Sequence, residues 1–175
     1  METTTTIKLQ SLQFDNSRTY LIAALFVIGN IIMPQLFHLV PQGGVTWLPI
    51  YFFTLIGAYK YGWRVGLLTA LASPVINSLL FGMPPVAALP AIMIKSGLLA
   101  LFAGYAATRF RKASLWVLAT VVLAYQFTGT LAEWVLKADF MAACQDFRIG
   151  IPGMLLQILG GWLLLNFVLT VRKQS

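Results

Sequence analysis

The segment FGMPPVAALPAIMIKS, residues 81–96, places a Gly-Met-Pro-Pro turn before an apolar stretch that contains one charged residue, Lys95. Lipid offers a charged side chain no partner, so an ionisable residue inside an apolar span is either paired or functional. Pro90 is suited to the first turn of a helix. The segment therefore predicts an outer lid at residues 82–89, followed by a helix in which Lys95 lies about 8 Å below the helix start at 1.5 Å per residue.

The composition indicates that the chain around this segment also lies in a membrane. Apolar residues make up 59% of the sequence and charged residues 10%, whereas about a quarter of an ordinary soluble domain is charged. The charged residues are also absent from long intervals, which are residues 19–59, 65–94, 113–132 and 149–171. These intervals are the predicted membrane spans.

A helix needs about 20 apolar residues to cross the hydrocarbon core. The first interval is long enough for two helices, divided by the sequence Pro-Gln-Gly-Gly at residues 41–44. We predict an all-α integral membrane protein with six transmembrane helices in a single domain, preceded by a polar cytoplasmic tail at residues 1–19. The predicted spans are residues 20–40, 45–59, 62–80, 90–110, 113–136 and 150–171.

The distribution of basic residues predicts the orientation, because Lys and Arg in short loops stay on the cytoplasmic side. With the N-terminus inside, only Lys137 and Arg148 fall in outer loops. The residues predicted to be inside are Lys8, Arg18, Lys60, Arg64, Arg109, Arg111, Lys112, Arg172 and Lys173. Both termini are therefore expected in the cytoplasm. The net charge of +7 reflects this bias, and no basic patch with interleaved aromatic residues indicates a nucleic-acid partner.

Polar side chains within the spans fall mainly near the middle or in the outer half. Gln126, Thr130 and Glu133 share one face of the fifth predicted helix at i, i+4 and i+7. Other polar residues at similar depth are Asn30, Asn77, Ser78, Lys95, Ser96 and Gln157. This distribution predicts a polar cavity that opens to the outside. The alternative is that these side chains only bond between helices, at about 0.6 kcal/mol per contact.

Lys95 and Glu133 have two possible roles. They form a structural ion pair, or a ligand enters between them. In the second case Lys95 holds an anionic group such as a carboxylate, and Glu133 accepts hydrogen bonds from the ligand. The aromatic residues predicted to cover such a ligand are Trp47, Tyr51, Tyr125 and Trp134. The tryptophans have an alternative place in the interfacial aromatic belt.

Sequence signatures of catalysis are missing. The chain has no Walker loop, no GxSxG, no HExxH and no glycine-rich dinucleotide turn. Cys144 is the only cysteine and His38 the only histidine, so no disulfide within the chain and no CxxC site can form. We predict a protein that is not an enzyme and that has neither a cofactor nor a metal site.

Residues 48–107 resemble the substrate-binding S components of energy-coupling factor (ECF) transporters. The matching features are Leu48-Pro49, the GxxxG stretch at residues 62–66, Ser73-Pro74 and Gly82-Met83-Pro84-Pro85. The resemblance implies a multi-pass protein of a prokaryotic cytoplasmic membrane that binds a small vitamin or related micronutrient with high affinity for uptake. It also implies that the partners are an ECF coupling subunit and two ATPases, which supply the energy.

The resemblance also suggests roles for small and turn-forming residues. The candidate gating residues are Gly43, Gly44, Met83, Pro84 and Pro85, and the candidate docking residues for the coupling subunit are Ala23, Ala24 and Gly29. Members of the group often have a histidine where this chain has Tyr51 and an acidic residue where it has Lys95, so the identity of the cargo is not transferred. The alternative function is a structural or assembly membrane protein without a transport substrate.

Overall fold

The computed structural model describes residues 10–168, which contain helices and no strand. In chain order the helices are α1 (Ser17–Phe37), α2 (Gly43–Trp47), α3 (Phe52–Tyr61), α4 (Trp63–Phe81), α5 (Leu89–Phe110), α6 (Leu115–Lys137), α7 (Phe140–Ala143), α8 (Gln145–Ile149) and α9 (Ile151–Leu155). Two π-helical turns and the short helix α10 (Gly161–Leu163) continue α9 to Val168. The fold is therefore all-α across the described part of the chain.

Helices α1, α4, α5 and α6 are long and apolar enough to cross a membrane, and no other helix within residues 10–168 meets both criteria. The apolar helix Ile151–Phe167 is shorter. Part of the sixth predicted span, residues 169–171, lies outside the described residues. The structure thus supports a membrane protein with four candidate spans, which is fewer than the six predicted.

The predicted helix over residues 45–59 is interrupted at Leu48. Leu48 has a left-handed backbone with φ of 47°, and a 3-10 turn at Pro49–Tyr51 leads into α3. The residue before a proline is disfavoured in the right-handed helical region, which accounts for a break at this position. Residues 49–61 then form a rod about 20 Å long, shorter than the roughly 30 Å hydrocarbon core.

The start of α5 agrees with the position that Pro90 predicts. Gly82 ends α4 in a left-handed conformation with φ of 67°, and its N–H donates to the Ser78 carbonyl at 2.9 Å. A 3-10 turn at Val86–Ala88 then precedes α5, whose first turn contains Pro90. Residues 82–88 therefore connect the two long helices at one end of the bundle.

Small residues allow α3, α4 and α5 to approach closely. A Cβ added to Gly66 would lie 2.4 Å from the Cβ of Ala58, and one added to Gly104 would lie 2.5 Å from the Cβ of Trp63. Gly62 has φ of 101° and makes the sharp turn between α3 and α4. The GxxxG stretch thus combines a turn glycine with a helix-contact glycine.

The two ends of the bundle differ in charge. One end, called here the basic end, has the α3–α4 and α5–α6 connections with Lys60, Arg64, Arg109, Arg111 and Lys112. The Tyr59 hydroxyl donates to the Lys112 carbonyl at 2.6 Å, which joins these two connections. The opposite end, called the cavity end, has the C-terminal ends of α1, α4 and α6 and the start of α5. Lys8, Arg172 and Lys173 lie outside the described residues.

Asn30 on α1 joins three helices near the middle of the bundle. Its side-chain amide donates to Thr54 Oγ1 at 3.1 Å on α3 and to Ser73 Oγ at 3.2 Å on α4. Its Oδ1 accepts from the Phe53 N–H at 3.1 Å, one of the N–H groups at the start of α3 that have no partner within their helix. Asn77 also donates to the Asn30 carbonyl at 2.9 Å. Asn30 therefore fits the interhelical role that the sequence left open.

We expect Asn30→Leu to lower stability by about 1–3 kcal/mol, because it removes the buried hydrogen bonds to Thr54 and Ser73 and the partner of the partly buried Phe53 N–H. The measurement is the thermal unfolding midpoint of the purified protein in detergent. Thr120→Val is the control, since the exposed Thr120 hydroxyl bonds only to the Trp116 carbonyl of its own helix. Equal midpoints for Asn30→Leu and Thr120→Val would contradict the proposed role of Asn30.

Candidate functional site

A cavity of about 500 Å³ lies at the cavity end of the bundle. This volume falls within the roughly 300–1,000 Å³ typical of small-molecule sites. Its walls include apolar residues from several elements, among them Val45, Ile50, Ala91 and Ile92. The cavity can therefore enclose a small ligand with a largely apolar body.

Four charged side chains meet at this cavity, and we call Lys95, Glu133, Lys137 and Asp146 the ionic cluster. The Lys95 ammonium forms ion pairs with Glu133 and, at 2.8 Å, with Asp146 Oδ2. Glu133 also pairs with Lys137, four residues further along α6. The Lys95 side chain is only 3% exposed. Two cations thus face two carboxylates, which balances the charge of the cluster.

Gly129 makes the position of Lys95 possible. A Cβ added to Gly129 would lie 2.5 Å from Lys95 Cγ, so the lysine stem crosses α6 where that helix has no side chain. The ammonium then meets Glu133, which lies one turn nearer the cavity end than Gly129. Lys95 therefore directs its charge away from the bundle centre, as long cationic side chains do in membranes.

A second group of polar side chains is buried deeper and has few partners. Within the described part of the chain, no hydrogen-bond partner is present for Thr130 Oγ1, Ser96 Oγ, Gln157 Nε2 or either polar atom of the Gln126 side chain. Gln126 lies seven residues from Glu133 on α6, a distance of about 10 Å along the helix. An unsatisfied buried polar group costs about 1–3 kcal/mol, so this group is a candidate for contacts with a polar ligand.

Two tyrosines connect the cavity with the deeper polar group. Tyr51 lines the cavity, and its ring centroid lies 5.6 Å from that of Tyr125. The Tyr125 hydroxyl donates to Gln157 Oε1 at 2.9 Å. This ring contact and this hydrogen bond therefore link the cavity wall to Gln157.

The structure brings some of the sequence-predicted site residues to the cavity wall. The predicted binding and gating residues that line it are Tyr51, Asn77, Lys95, Glu133, Gly44, Met83, Pro84 and Pro85. The buried residues Tyr125, Gln126, Thr130 and Gln157 do not line it. His38, given no role by the sequence, also lines the cavity.

The predicted tryptophans and Gly43 lie away from the cavity wall. Trp47 stacks on Phe37 with ring centroids 5.4 Å apart, and Trp134 is 44% exposed beside Phe140. These positions fit packing and interfacial roles better than ligand contact. Gly43 is buried, and a Cβ there would lie 1.8 Å from the Phe37 carbonyl oxygen. Gly43 is therefore required for close backbone packing.

Only one of the predicted docking residues faces outward. Ala23 is 4% exposed, and a Cβ on Gly29 would lie 2.8 Å from the Phe53 ring. Both residues therefore pack inside the bundle. Ala24 is exposed on the outer face of α1, so the docking hypothesis retains Ala24 alone.

Asp146 is the site residue that the sequence did not identify. It belongs to the α6–α9 connection, on the five-residue helix α8. A count of charges could have pointed to Asp146. The neighbouring helices α5 and α6 bring two cations, Lys95 and Lys137, to the cavity but only one carboxylate, Glu133, so a second carboxylate is needed nearby. Within residues 10–168, no three His, Cys, Asp or Glu side chains group to hold a metal ion.

Comparison of the chain with protein-family models, with curated proteins and with solved structures gave no match. The resemblance of residues 48–107 to S components therefore stays a prediction. The geometry of the cavity and of the ionic cluster carries the functional proposal below.

Gly129→Ala is expected to destabilise the protein, because the added methyl group collides with Lys95 near the fixed end of its side chain. The measurement is the thermal midpoint in detergent. Gly97→Ala is the matched control on α5, where the added Cβ makes only an ordinary 3.8 Å contact with Leu67. It replaces a helix-interior glycine, so its midpoint should stay equal or rise. A Gly129→Ala protein as stable as the Gly97→Ala protein would show that the Lys95 side chain does not need the space that Gly129 leaves on α6.

We expect Lys95→Met and Asp146→Asn to be non-additive, because each removes one partner of the same buried pair. A double-mutant cycle from chemical denaturation should give a coupling energy of about 0.5–3 kcal/mol. Arg109→Gln combined with Asp146→Asn is the control, since these residues lie at opposite ends of the bundle. Additive effects in both cycles would show that the Lys95–Asp146 contact does not stabilise the fold.

Proposed function

We propose that the protein is the high-affinity substrate-binding subunit of an ECF-type uptake system for a small vitamin or related micronutrient. The observation that carries the proposal is the cavity of about 500 Å³ with buried charged groups at the end opposite the basic residues. A buried charge inside a membrane protein is costly and is usually functional. Apolar walls with a few convergent polar groups are typical of small-ligand sites.

The proposed orientation places the basic end in the cytoplasm and the cavity end outside. Basic residues at this end support it through the positive-inside rule; they are Lys60, Arg64, Arg109, Arg111 and Lys112. Both termini would then be cytoplasmic. The cavity would open toward the side from which a nutrient arrives in a prokaryotic cytoplasmic membrane.

Six crossings remain part of the proposal, with α3 and the apolar helix Ile151–Phe167 as the shorter ones. Residues 54–60 of α3 are all buried within the protein. A helix enclosed by other helices has little contact with lipid, so its length need not match the hydrocarbon thickness. The short rod at residues 49–61 is therefore compatible with a crossing segment.

Uptake also requires energy and movement. A separate coupling subunit and two ATPases would supply the energy, consistent with the lack of a nucleotide motif in this sequence. Ala24, between the exposed residues Leu21, Leu25 and Ile28, would meet the coupling subunit on α1. Gly44 and the turn Met83-Pro84-Pro85 line the cavity from two connections, which are the candidate gates.

A structural or assembly role is the alternative, and one observation favours it. Lys95 is already bonded to two carboxylates, so the cluster can serve to hold α5, α6 and α8 together. The two functions make different predictions for the purified protein. Uptake requires a bound solute that Lys95 variants lose, whereas a structural role requires only that Lys95 variants lose stability.

The test is mass spectrometry of small molecules that co-purify with the protein. We expect a bound solute in the unaltered protein and its loss from Lys95→Met, because the ligand then has no cationic partner. Arg109→Gln removes a cation from the opposite end of α5 and should retain the solute. Two results together would support the structural alternative. The unaltered protein would purify without any solute, and the Lys95→Met variant would be less stable but would show no change in uptake.

A further inference from the structure

We infer that Asp146 occupies the place of the substrate's own carboxylate on Lys95, so that the substrate is a small monocarboxylate and its binding releases the α6–α9 connection, which contains α7 and α8. This inference rests on the proposed function, because it names the substrate class of the same site. It also gives a role to a residue that the sequence analysis did not assign. We call residues 138–150 the outer segment.

The two carboxylates on Lys95 are held by elements of very different rigidity. Glu133 lies on the 23-residue helix α6, which packs along α5. Asp146 lies on the five-residue helix α8 within the outer segment. Helices shorter than about 12–15 residues are marginal without tertiary support, and such segments open at lower free energy than the core. Asp146 is therefore the carboxylate that can leave, whereas Glu133 stays.

The charge balance of the ionic cluster favours a single negative charge on the ligand. With Asp146 in place, two cations face two carboxylates. A monocarboxylate that replaces Asp146 keeps this balance, whereas a phosphate dianion leaves excess negative charge beside Glu133. An amine would place a cation against Lys95, and like charges in a buried site repel strongly. The cluster therefore selects a monoanionic carboxylate.

The cavity gives the carboxylate a route to Lys95. Lys95, Asp146 and Tyr51 all line the same cavity, so a ligand in it reaches the ammonium directly. Its apolar body would then contact Ile50 and Ile92. Asp146 is part of a connection outside the long helices, so its carboxylate becomes hydrated when it leaves. The exchange therefore replaces one ion pair by another at little electrostatic cost.

Cys144 provides a direct reporter for this movement. It is the only cysteine in the chain, it is partly buried, and it lies two residues before Asp146 in the outer segment. Release of Asp146 from Lys95 should expose the Cys144 thiol. The rate at which a water-soluble maleimide labels Cys144 in protein reconstituted into nanodiscs therefore measures opening of the outer segment.

The experiment uses propionate as the carboxylate probe at constant pH and ionic strength. A group on a short linker has an effective concentration in the mM range, so about 0.3 M free propionate should compete with Asp146. We expect propionate to raise the labelling rate of the unaltered protein about threefold or more relative to chloride, since opening exposes the thiol. Neutral propionamide should have no effect. Asp146→Asn should label fast in chloride and should not respond to propionate.

Asp139→Asn is the matched control variant. Asp139 lies in the same outer segment and caps α7 by accepting from the Ala142 N–H at 3.0 Å, without contacting Lys95. Asn caps helices as well as Asp does, so this variant loses the same charge and keeps the local fold. It should label at the rate of the unaltered protein and retain the propionate response.

Two labelling results would overturn the release of Asp146. One is that Cys144 of the unaltered protein is labelled at the same rate in propionate, propionamide and chloride. The other is equal labelling of Asp146→Asn and Asp139→Asn. A co-purifying ligand without a carboxylate would reject the substrate class and leave the binding function intact. A propionate response in a protein that never retains a solute would support the release of Asp146 and count against uptake.

Discussion

The buried ammonium of Lys95 is the constraint on which the cavity end depends. A cation at this depth requires carboxylate partners, because the low dielectric of the membrane interior makes an unpaired charge very costly. Pro90 sets where α5 begins and hence how deep Lys95 lies. Gly129 leaves space for the lysine stem, and Glu133 receives the charge one turn further along α6. The outer segment then folds so that Asp146 supplies the second carboxylate.

The buried polar residues around Asn30 and those around Gln126 differ in how many of their hydrogen-bonding groups have partners. Around Asn30, amide and carbonyl groups bond across α1, α3 and α4. Around Gln126, by contrast, several buried amide and hydroxyl atoms on α5, α6 and the C-terminal helical segment have no partner among residues 10–168. Both groups are buried polar residues at similar depth, and only the second has free hydrogen-bonding capacity. This difference separates residues that hold helices together from residues available to a ligand.

The long helices and the turn before α5 were predictable from the sequence, whereas the break at Leu48 and the fold of the outer segment were not. Charge-free intervals of 20 residues or more cover most of α1, α4 and α6, since the hydrocarbon thickness dictates the length of a span. Helix α5 was predictable from its apolar composition and from Pro90, although it contains Lys95. The break at Leu48 had a local signal in Pro49, but the length of the first interval favoured a continuous helix. Gly129 reads as an ordinary helix glycine until Lys95 is placed over it. Asp146 reaches the cluster only through the tertiary folding of the outer segment, which no local pattern encodes.

The balanced ionic cluster also determines where binding affinity can originate. Lys95 loses most of its hydration when the protein folds, because Glu133 and Asp146 already surround it. A ligand carboxylate that replaces Asp146 exchanges one ion pair for another, and such an exchange yields little net electrostatic energy. For a ligand in this cavity, affinity would then come mainly from the apolar walls, such as Ile50 and Ile92. In the proposed exchange the charges would act mainly on specificity, because a ligand with the wrong charge would leave a buried group unpaired.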